Sequence, residues 1–320
     1  MKVFVTGAAG FIGRAVTAEL VKKGHEVIGM VQNDNDGRIV EEAGGRYVVG
    51  DLMQGGKWCS EIRDVDKVIS LTQPLKSDED IPIEKSAEYG QRHAESVTNL
   101  IKAASDGRAK AVIVTNHTMC FGDRGGKWVS DADTIEPIGY CRPLTGSFEA
   151  IQRTAEDAEL PLIQVFPALV YGNGSWFKRL INNFLDGNAK VVEPGNNYLS
   201  LIHVEDLAGL YAMIVEKVDN SETFCLSDDR PVEQKVLLDY IADMLDMKTA
   251  PMVDFGTYSR ENGILAAETM SSSTRVPGKK AIDTLEYEPR IRSYEKGIPY
   301  TLKSMGIEPR KRLLKVSKAA

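Results

Sequence analysis

The segment Val5-Thr6-Gly7-Ala8-Ala9-Gly10-Phe11-Ile12-Gly13 constrains this chain more than any other stretch. A β-branched and aromatic run, Lys2–Thr6, leads into it. An amphipathic run, Phe11–Lys23, leaves it with Phe11, Ile12, Val16, Leu20 and Val21 at helical spacing. Strand, glycine turn and helix in that order make a cradle for an anion. Gly7 permits the tight turn, Gly10 lets the backbone approach a diphosphate, and Gly13 lets the helix pack closely on the strand. The free N–H groups at the helix N-terminus stabilise the negative charge. The context predicts dinucleotide binding, against the plainer reading of a glycine turn.

The rest of the N-terminal half keeps that rhythm. Glu26–Val31, Arg46–Val49, Lys67–Leu71, Lys110–Thr115 and Leu162–Phe166 read as strands, with helical segments between most of them. The clearest helices are Ile83–Ser105 and Leu144–Ala158. Alternating strands and helices imply parallel strands with crossover helices, hence an α/β doubly wound sheet. After Pro167 the rhythm changes. Trp176–Leu185, Val204–Lys217 and Val232–Leu245 read as helices, Asn197–His203 as extended chain and Glu222–Leu226 as a strand. Ala250 to Pro289 is richer in Pro, Gly and Ser. The expected division is a dinucleotide-binding domain over 1–167, to which 200–230 returns, and a smaller C-terminal substrate lobe made of 168–199 and 231–320.

Charge and cysteine usage exclude several function classes. Lys plus Arg is 39 and Asp plus Glu is 46, a net charge of −7. That balance gives little pull on nucleic acid or anionic lipid. The basic residues near the end (Arg310, Lys311, Arg312, Lys315, Lys318) read as a solvated tail. No apolar run approaches the ~18–20 residues of a membrane span, and no secretion signal is visible. The cysteines Cys59, Cys120, Cys141 and Cys225 are far apart. They argue against structural zinc or a disulfide framework and fit a reducing cytoplasm.

The glycine spacing is Gly-x-x-Gly-x-x-Gly with Thr6 before it. On this and further motifs the chain resembles the extended short-chain dehydrogenase/reductase superfamily, also called the NAD-dependent epimerase/dehydratase family. Gly50-Asp51-Leu52 resembles the family's turn after the third strand, where the Asp contacts adenine. Val68-Ile69-Ser70-Leu71-Thr72 sits where the fourth strand reaches the cofactor, and Thr115-to-Gly122 resembles the end of the fifth. Phe166-Pro167-Ala168-Leu169-Val170-Tyr171-Gly172 resembles the segment whose backbone lies beside the nicotinamide. Ile202-His203-Val204-Glu205-Asp206-Leu207-Ala208 matches His-Val-Asp-Asp-Leu-Ala. The resemblance implies a Rossmann domain with a cofactor site of Gly7, Gly10, Phe11, Ile12, Gly13, Gln32, Arg38, Asp51, Leu52, Leu71, Thr72, Thr115, Pro167 and Leu169.

The second strand ends in Val31-Gln32-Asn33, without the usual acid for a ribose 2′-hydroxyl. Arg38 lies a few residues on and can pair with a 2′-phosphate. The expected cofactor is NADP, with NAD as the alternative.

The family's Tyr-x-x-x-Lys pair is missing. Counted between Glu149 and Pro167, the Tyr slot falls on Cys141 and the Lys slot on Thr145. The Ser/Thr slot falls on His117, and a helix position often occupied by Asn falls on His93. Tyr140 is one place away, but Leu144, not Lys, stands four residues on. A tyrosine of pKa ~10 needs a neighbouring cation to act as a base near neutrality. The resemblance is therefore to an atypical branch. His117 becomes the first candidate for proton transfer, since imidazole titrates near ~6.5. Tyr140 and Cys141 are candidate accessories, Cys141 as a thiolate if His117 or Arg142 lowers its pKa. His93, His117 and Cys141 lack the spacing of a local metal motif, so no metal is expected. His203 belongs to a packing motif.

Trp176, Lys178 and Tyr198 are candidate substrate contacts, each also readable as packing. The expected activity is NAD(P)-dependent oxidation or reduction of a carbonyl/alcohol group on a small molecule. Two alternatives stand beside it: an epimerase or dehydratase with tightly held cofactor, and a non-catalytic cofactor-binding sensor or scaffold. A homodimer through Ile83–Ser105 and Leu144–Ala158 is expected by analogy.

Overall fold

The computed structural model describes residues 1–72 and 85–310. Seven parallel strands form the central sheet. In chain order they are β1 (Lys2–Thr6), β2 (Glu26–Val31), β3 (Arg46–Val49), β4 (Lys67–Ser70), β5 (Val112–Thr115), β6 (Leu162–Pro167) and, after four short strands, β11 (Glu222–Leu226). Their order across the sheet is β11-β6-β5-β4-β1-β2-β3. The inner strands read as continuous apolar runs, as strands covered on both faces must. Val3 and Val5 face one core with Ile69 and Ile113, while Phe4 faces the other with Val68, Val112 and Val114. That separation is the two-residue period of a strand.

Helices cover both faces. The first face carries α1 (Phe11–Lys22), α2 (Asp34–Glu42) and later α7 (Val204–Lys217). The second carries α3 (Lys57–Glu61), α4 (Ser86–Ser105) and α5 (Ser147–Asp157). The strand order reverses between β1 and β4, so the crevice at their carboxyl ends is the topological switch point. The glycine turn after β1 and residues Leu71 and Thr72 after β4 border it. A Cβ on Gly7 would lie 3.2 Å from the Leu71 backbone.

The chain after β6 builds a further core around Tyr171, Phe177, Ile181, Leu237 and Leu302. It holds β7 (Leu169–Tyr171), α6 (Ser175–Leu185), β8 (Val191–Val192), β9 (Tyr198–Leu199), β10 (Leu201–His203), β12 (Val232–Glu233), α8 (Gln234–Met244), β13 (Met252–Val253) and α12 (Tyr294–Ser304). Asn197–His203 is not one strand. Tyr198–Leu199 pairs with Val232–Glu233, and Leu201–His203 pairs with Leu169–Tyr171. The stretch richer in Pro, Gly and Ser carries α9 (Phe255–Asn262), α10 (Ile264–Ser271) and α11 (Lys279–Leu285). Their shortness hides them from a periodicity test.

Two other differences bear on the site. The helix expected from Leu144 begins only at Ser147, because Gly146 is left-handed at φ 86° and Pro143 sits in a 3₁₀ turn over Gly139–Leu144. Helix α2 escaped the periodicity, yet Asn33 caps it by accepting the Asp36 N–H at 3.0 Å. The first residues of the expected Ile83–Ser105 helix lie outside the described residues, as does the basic tail after Arg310. Arg310 itself pairs with Asp246 at 2.8 Å. Among the described residues no helix is long and apolar enough to cross a membrane.

Candidate active site

The glycine turn closes with the Gly10 N–H donating to the Gly7 carbonyl at 3.0 Å, and Gly7 has φ 66°. A Cβ on Gly13 would lie 2.1 Å from that same carbonyl, so only glycine lets α1 approach this closely. The N-terminus of α1 is chemically open. Gly10 offers no capping side chain, and the first turn contains no acid. Helix α2 is the contrast, with the Asn33 cap and both Asp34 and Asp36 in its first turn. The orphan N–H groups of α1 are therefore free to meet an anion. Across the crevice the Thr72 hydroxyl donates to the Thr6 hydroxyl at 2.9 Å, fixing the turn against the end of β4.

At the far end of the crevice, the Asp51 carboxylate accepts the Met53 N–H at 2.9 Å and shapes the turn after β3. Asn99 of α4 donates to the Leu52 carbonyl at 3.0 Å and fastens that turn. Gln32 is exposed at the end of β2. Arg38 lies on α2 and makes no ion pair among the described residues. Sequence reading missed Asp34 and Asp36 as neighbours of this end. Asp34 accepts the Tyr47 hydroxyl at 3.1 Å.

At the end of β5 the Thr115 hydroxyl is bonded to the buried Tyr211 hydroxyl. His117 caps the short 3₁₀ turn Thr118–Phe121, its Nδ1 accepting the Met119 N–H at 3.0 Å. That bond assigns the neutral tautomer with its proton on Nε2. Burial pushes the His117 pKa down to about 4. The ring is thus neutral at working pH, and Nε2–H makes no hydrogen bond among the described residues.

His203 is the internal control. Its Nδ1 likewise accepts the N–H two residues on, Glu205, at 3.3 Å. Its Nε2, however, meets the Thr301 hydroxyl at 3.2 Å. Both ring nitrogens are committed, and Tyr171 packs edge-on at 5.1 Å between ring centres. His93 on α4 is buried beside the Thr72 backbone, and neither nitrogen finds a well-formed hydrogen bond among the described residues. Burial lowers its pKa to about 4. Among the described residues no group of three or more His, Cys, Asp or Glu could hold a metal.

The family model that matches residues 3–226 is described as the NAD dependent epimerase/dehydratase family. The chain belongs to this family. A 3-diazoavenalumate denitrifying reductase of a Streptomyces species is 24% identical over 311 residues, 93% of this chain and 99% of that protein. A Stigmatella aurantiaca ketoreductase acting on a farnesylated dihydroquinoline oxide is 22% identical over 260 residues, 78% of this chain and 74% of its own. A human epimerase family protein crystallised with NADPH superposes with a TM-score of 0.78 at 16% identity, over 95% of this chain and 99% of that one. The Bacillus cereus UDP-glucuronic acid 4-epimerase structure gives a TM-score of 0.79 at 15% identity, over 96% and 99% of the two chains.

The segment on which the sequence reading placed the tyrosine slot is the 3₁₀ turn Gly139–Leu144. Gly139–Leu144 is clamped from outside by α10. Glu268 accepts the Gly139 N–H at 3.0 Å and pairs with the Arg142 guanidinium. The Thr269 hydroxyl accepts the Tyr140 N–H at 3.4 Å. Sequence reading missed Glu268 and Thr269, and no motif marks them. Cys141 does not meet the condition for a thiolate. A hydrogen bond with Cys120 and burial push its thiol well above the usual range, and Arg142 is spent on Glu268. The correction follows from a cation turned away and a thiol sealed among Met119, Phe121 and Phe166.

The three substrate candidates have different immediate partners. Trp176 Nε1 donates to the Val170 carbonyl at 2.7 Å and packs edge-on against Phe177. The Arg275 guanidinium covers the Tyr198 ring 3.8 Å from its centre. Lys178 faces the glycine turn across a cavity shared with Phe11, Arg14 and Asn173.

Proposed function

We propose that this chain is an NADP-preferring oxidoreductase acting on a carbonyl/alcohol carbon of a small molecule, with His117 as a neutral hydrogen-bond donor. The carrying observation is the pairing of an uncapped α1 N-terminus with an imidazole whose Nε2–H alone is uncommitted. A dinucleotide fits the residues present. Gly7, Gly10, Phe11, Ile12 and Gly13 would hold its diphosphate, Asp51 and Leu52 its adenine, and Leu71, Thr72, Pro167 and Leu169 its nicotinamide half. Gln32 and Arg38 would face the 2′-phosphate. When bound, the nicotinamide supplies or accepts the hydride.

The chain's own part is charge stabilisation. A neutral imidazole at the end of β5 gives a hydrogen bond to an oxygen on which negative charge develops, and keeps its proton. In this reading His117 acts as a donor rather than as the ~6.5 acid/base the sequence suggested, since desolvation lowers its pKa to about 4. The reductase and ketoreductase names of the two curated relatives support this chemistry, and the NADPH and NAD in the solved neighbours support the cofactor. Tyr140 remains an accessory in this reading, and a second copy docking through α4 and α5 belongs to it.

A non-catalytic binding protein is the rival, favoured by the raised Cys141 thiol and the paired Arg142. Turnover of NADPH over a panel of aldehydes and ketones separates them. The oxidoreductase reading expects consumption with at least one class and its loss in His117→Ala. Cofactor binding with no turnover of any carbonyl overturns it.

A further inference from the structure

We propose that Glu268 is a positioning residue for His117: its carboxylate, on α10, fixes the peptide that orients the imidazole, acting through Ile138 and Met119. The consequence for turnover rests on the donor role proposed for His117, while the orientation rests on geometry alone. Three hydrogen bonds make the connection. Glu268 accepts the Gly139 N–H at 3.0 Å. The N–H of the preceding residue, Ile138, donates to the Met119 carbonyl at 3.3 Å. The Met119 N–H in turn donates to His117 Nδ1 at 3.0 Å. Met119 is thus held at its N–H by the ring and at its carbonyl by the segment that Glu268 grips.

Both sides of this seam are anchored. Gly139 has φ 53°, and a Cβ there would lie 2.3 Å from Thr269 Oγ1. Glycine adopts that left-handed conformation without strain and leaves room for α10. Glu268 also accepts the Arg142 Nε–H at 3.3 Å, so one carboxylate spans the turn from Gly139 to Arg142. Helix α10 is itself tied down. Asn197 Nδ2 donates to the Met270 and Ser272 carbonyls at 2.8 and 2.9 Å, and Gln234 Nε2 donates to the Met270 carbonyl at 2.9 Å. Asn197 and Gln234 are both buried. Towards β5, the Glu136 N–H donates to the Cys120 carbonyl at 2.8 Å, so the turn that His117 caps is joined twice to the clamped segment. A carboxylate acceptor makes a charge-assisted hydrogen bond, stronger than a neutral one. Without it the Met119 peptide loses its outer restraint, and the Nε2–H swings away from the oxygen it serves. A misplacement of about 1 Å costs on the order of 10²-fold in rate.

The test uses the full chain and follows the ring nitrogens of His117 by NMR, assigned by the signal lost in His117→Ala. Wild type is expected to show a single tautomer, protonated at Nε2. Glu268→Ala should mix the tautomers, lower kcat about tenfold on the fastest carbonyl of the panel and leave NADPH affinity within about twofold. In the His117→Ala background the same substitution should cost less than about twofold, because its effect passes through a ring no longer present. A mixed tautomer in wild type, an equal loss in both backgrounds, or an unchanged His117 signal in folded Glu268→Ala overturns the proposal. Should Glu268→Ala not fold, Glu268→Gln carries the same readouts. One amide oxygen cannot hold both Gly139 and Arg142, so a severalfold loss in kcat and a shifted His117 signal are expected, and wild-type values overturn the proposal. If wild type turns over no carbonyl, the tautomer shift in Glu268→Ala still decides the positioning, and only the oxidoreductase reading fails.

Discussion

His117 Nδ1 accepts the Met119 N–H at 3.0 Å, and this one bond decides which end of the imidazole faces outward. The ring turns an N–H donor away from the peptide it caps. Turnover should therefore be lost on His117→Ala by roughly 10²-fold, the scale for removing one donor to a developing oxyanion. Cofactor affinity should stay within about twofold. Steady-state kinetics and calorimetry on the same preparation check both.

The same geometry predicts an unusual pH profile. The His117 titration lies at about 4, so the imidazole charge does not change between pH 5.5 and 8. The rate should be flat over that range. A bell centred near 6.5 would show an ordinary histidine acting as acid/base.

Stability should respond to acid through three histidines. His93, His117 and His203 are each lowered to about 4 by burial. Above ~6.5 both folded and unfolded forms are neutral and pH has no effect through them. As pH falls from 6.5 towards 4, the unfolded chain takes up protons that the folded chain refuses. Stability is then lost over that window and the loss levels off below 4. Denaturant midpoints at pH 7, 6, 5 and 4.5 should fall steadily, and His203→Gln should flatten the slope.

Asp206 anchors the chain outside the crevice. Its buried carboxylate accepts the Tyr287 hydroxyl, the Arg290 N–H and the Ile291 N–H, each at 2.8 Å. Asp206→Ala orphans three donors, and each unsatisfied buried group costs on the order of 1–3 kcal/mol. A loss of several kcal/mol in chemical denaturation is expected, against little change for Glu205→Ala.

Cofactor preference turns on Arg38. Arg38→Ala should weaken NADPH about tenfold and leave NADH unchanged, read as the ratio of the two dissociation constants. Equal affinities in the wild type would assign Asp34 and Asp36 the larger say at this end.

The sheet and the glycine turn were legible because their signals are local. Apolar runs of four to six residues and a Gly-x-x-Gly-x-x-Gly turn need nothing distant to form. The side chains of the site were legible only as positions. That His117 is neutral depends on a cap bond and on burial, and neither has a sequence signature. That Cys141 stays protonated depends on Cys120, 21 positions earlier, and on Glu268 drawing Arg142 away. The Leu144 start failed for a readable reason, since Pro143 and Gly146 both oppose a helix there. Helix α2 was readable too, from Asn33 followed by Asp34 and Asp36.

One titration bears most directly on the whole account: NADPH and NADH injected separately into wild-type protein and into Gly13→Ala, whose new methyl would press on the Gly7 carbonyl. The account predicts saturable one-to-one binding to wild type, tighter for NADPH, and its loss in a variant that retains its helical spectrum. Absence of binding of either nucleotide to wild type, or undiminished binding to Gly13→Ala, would contradict it.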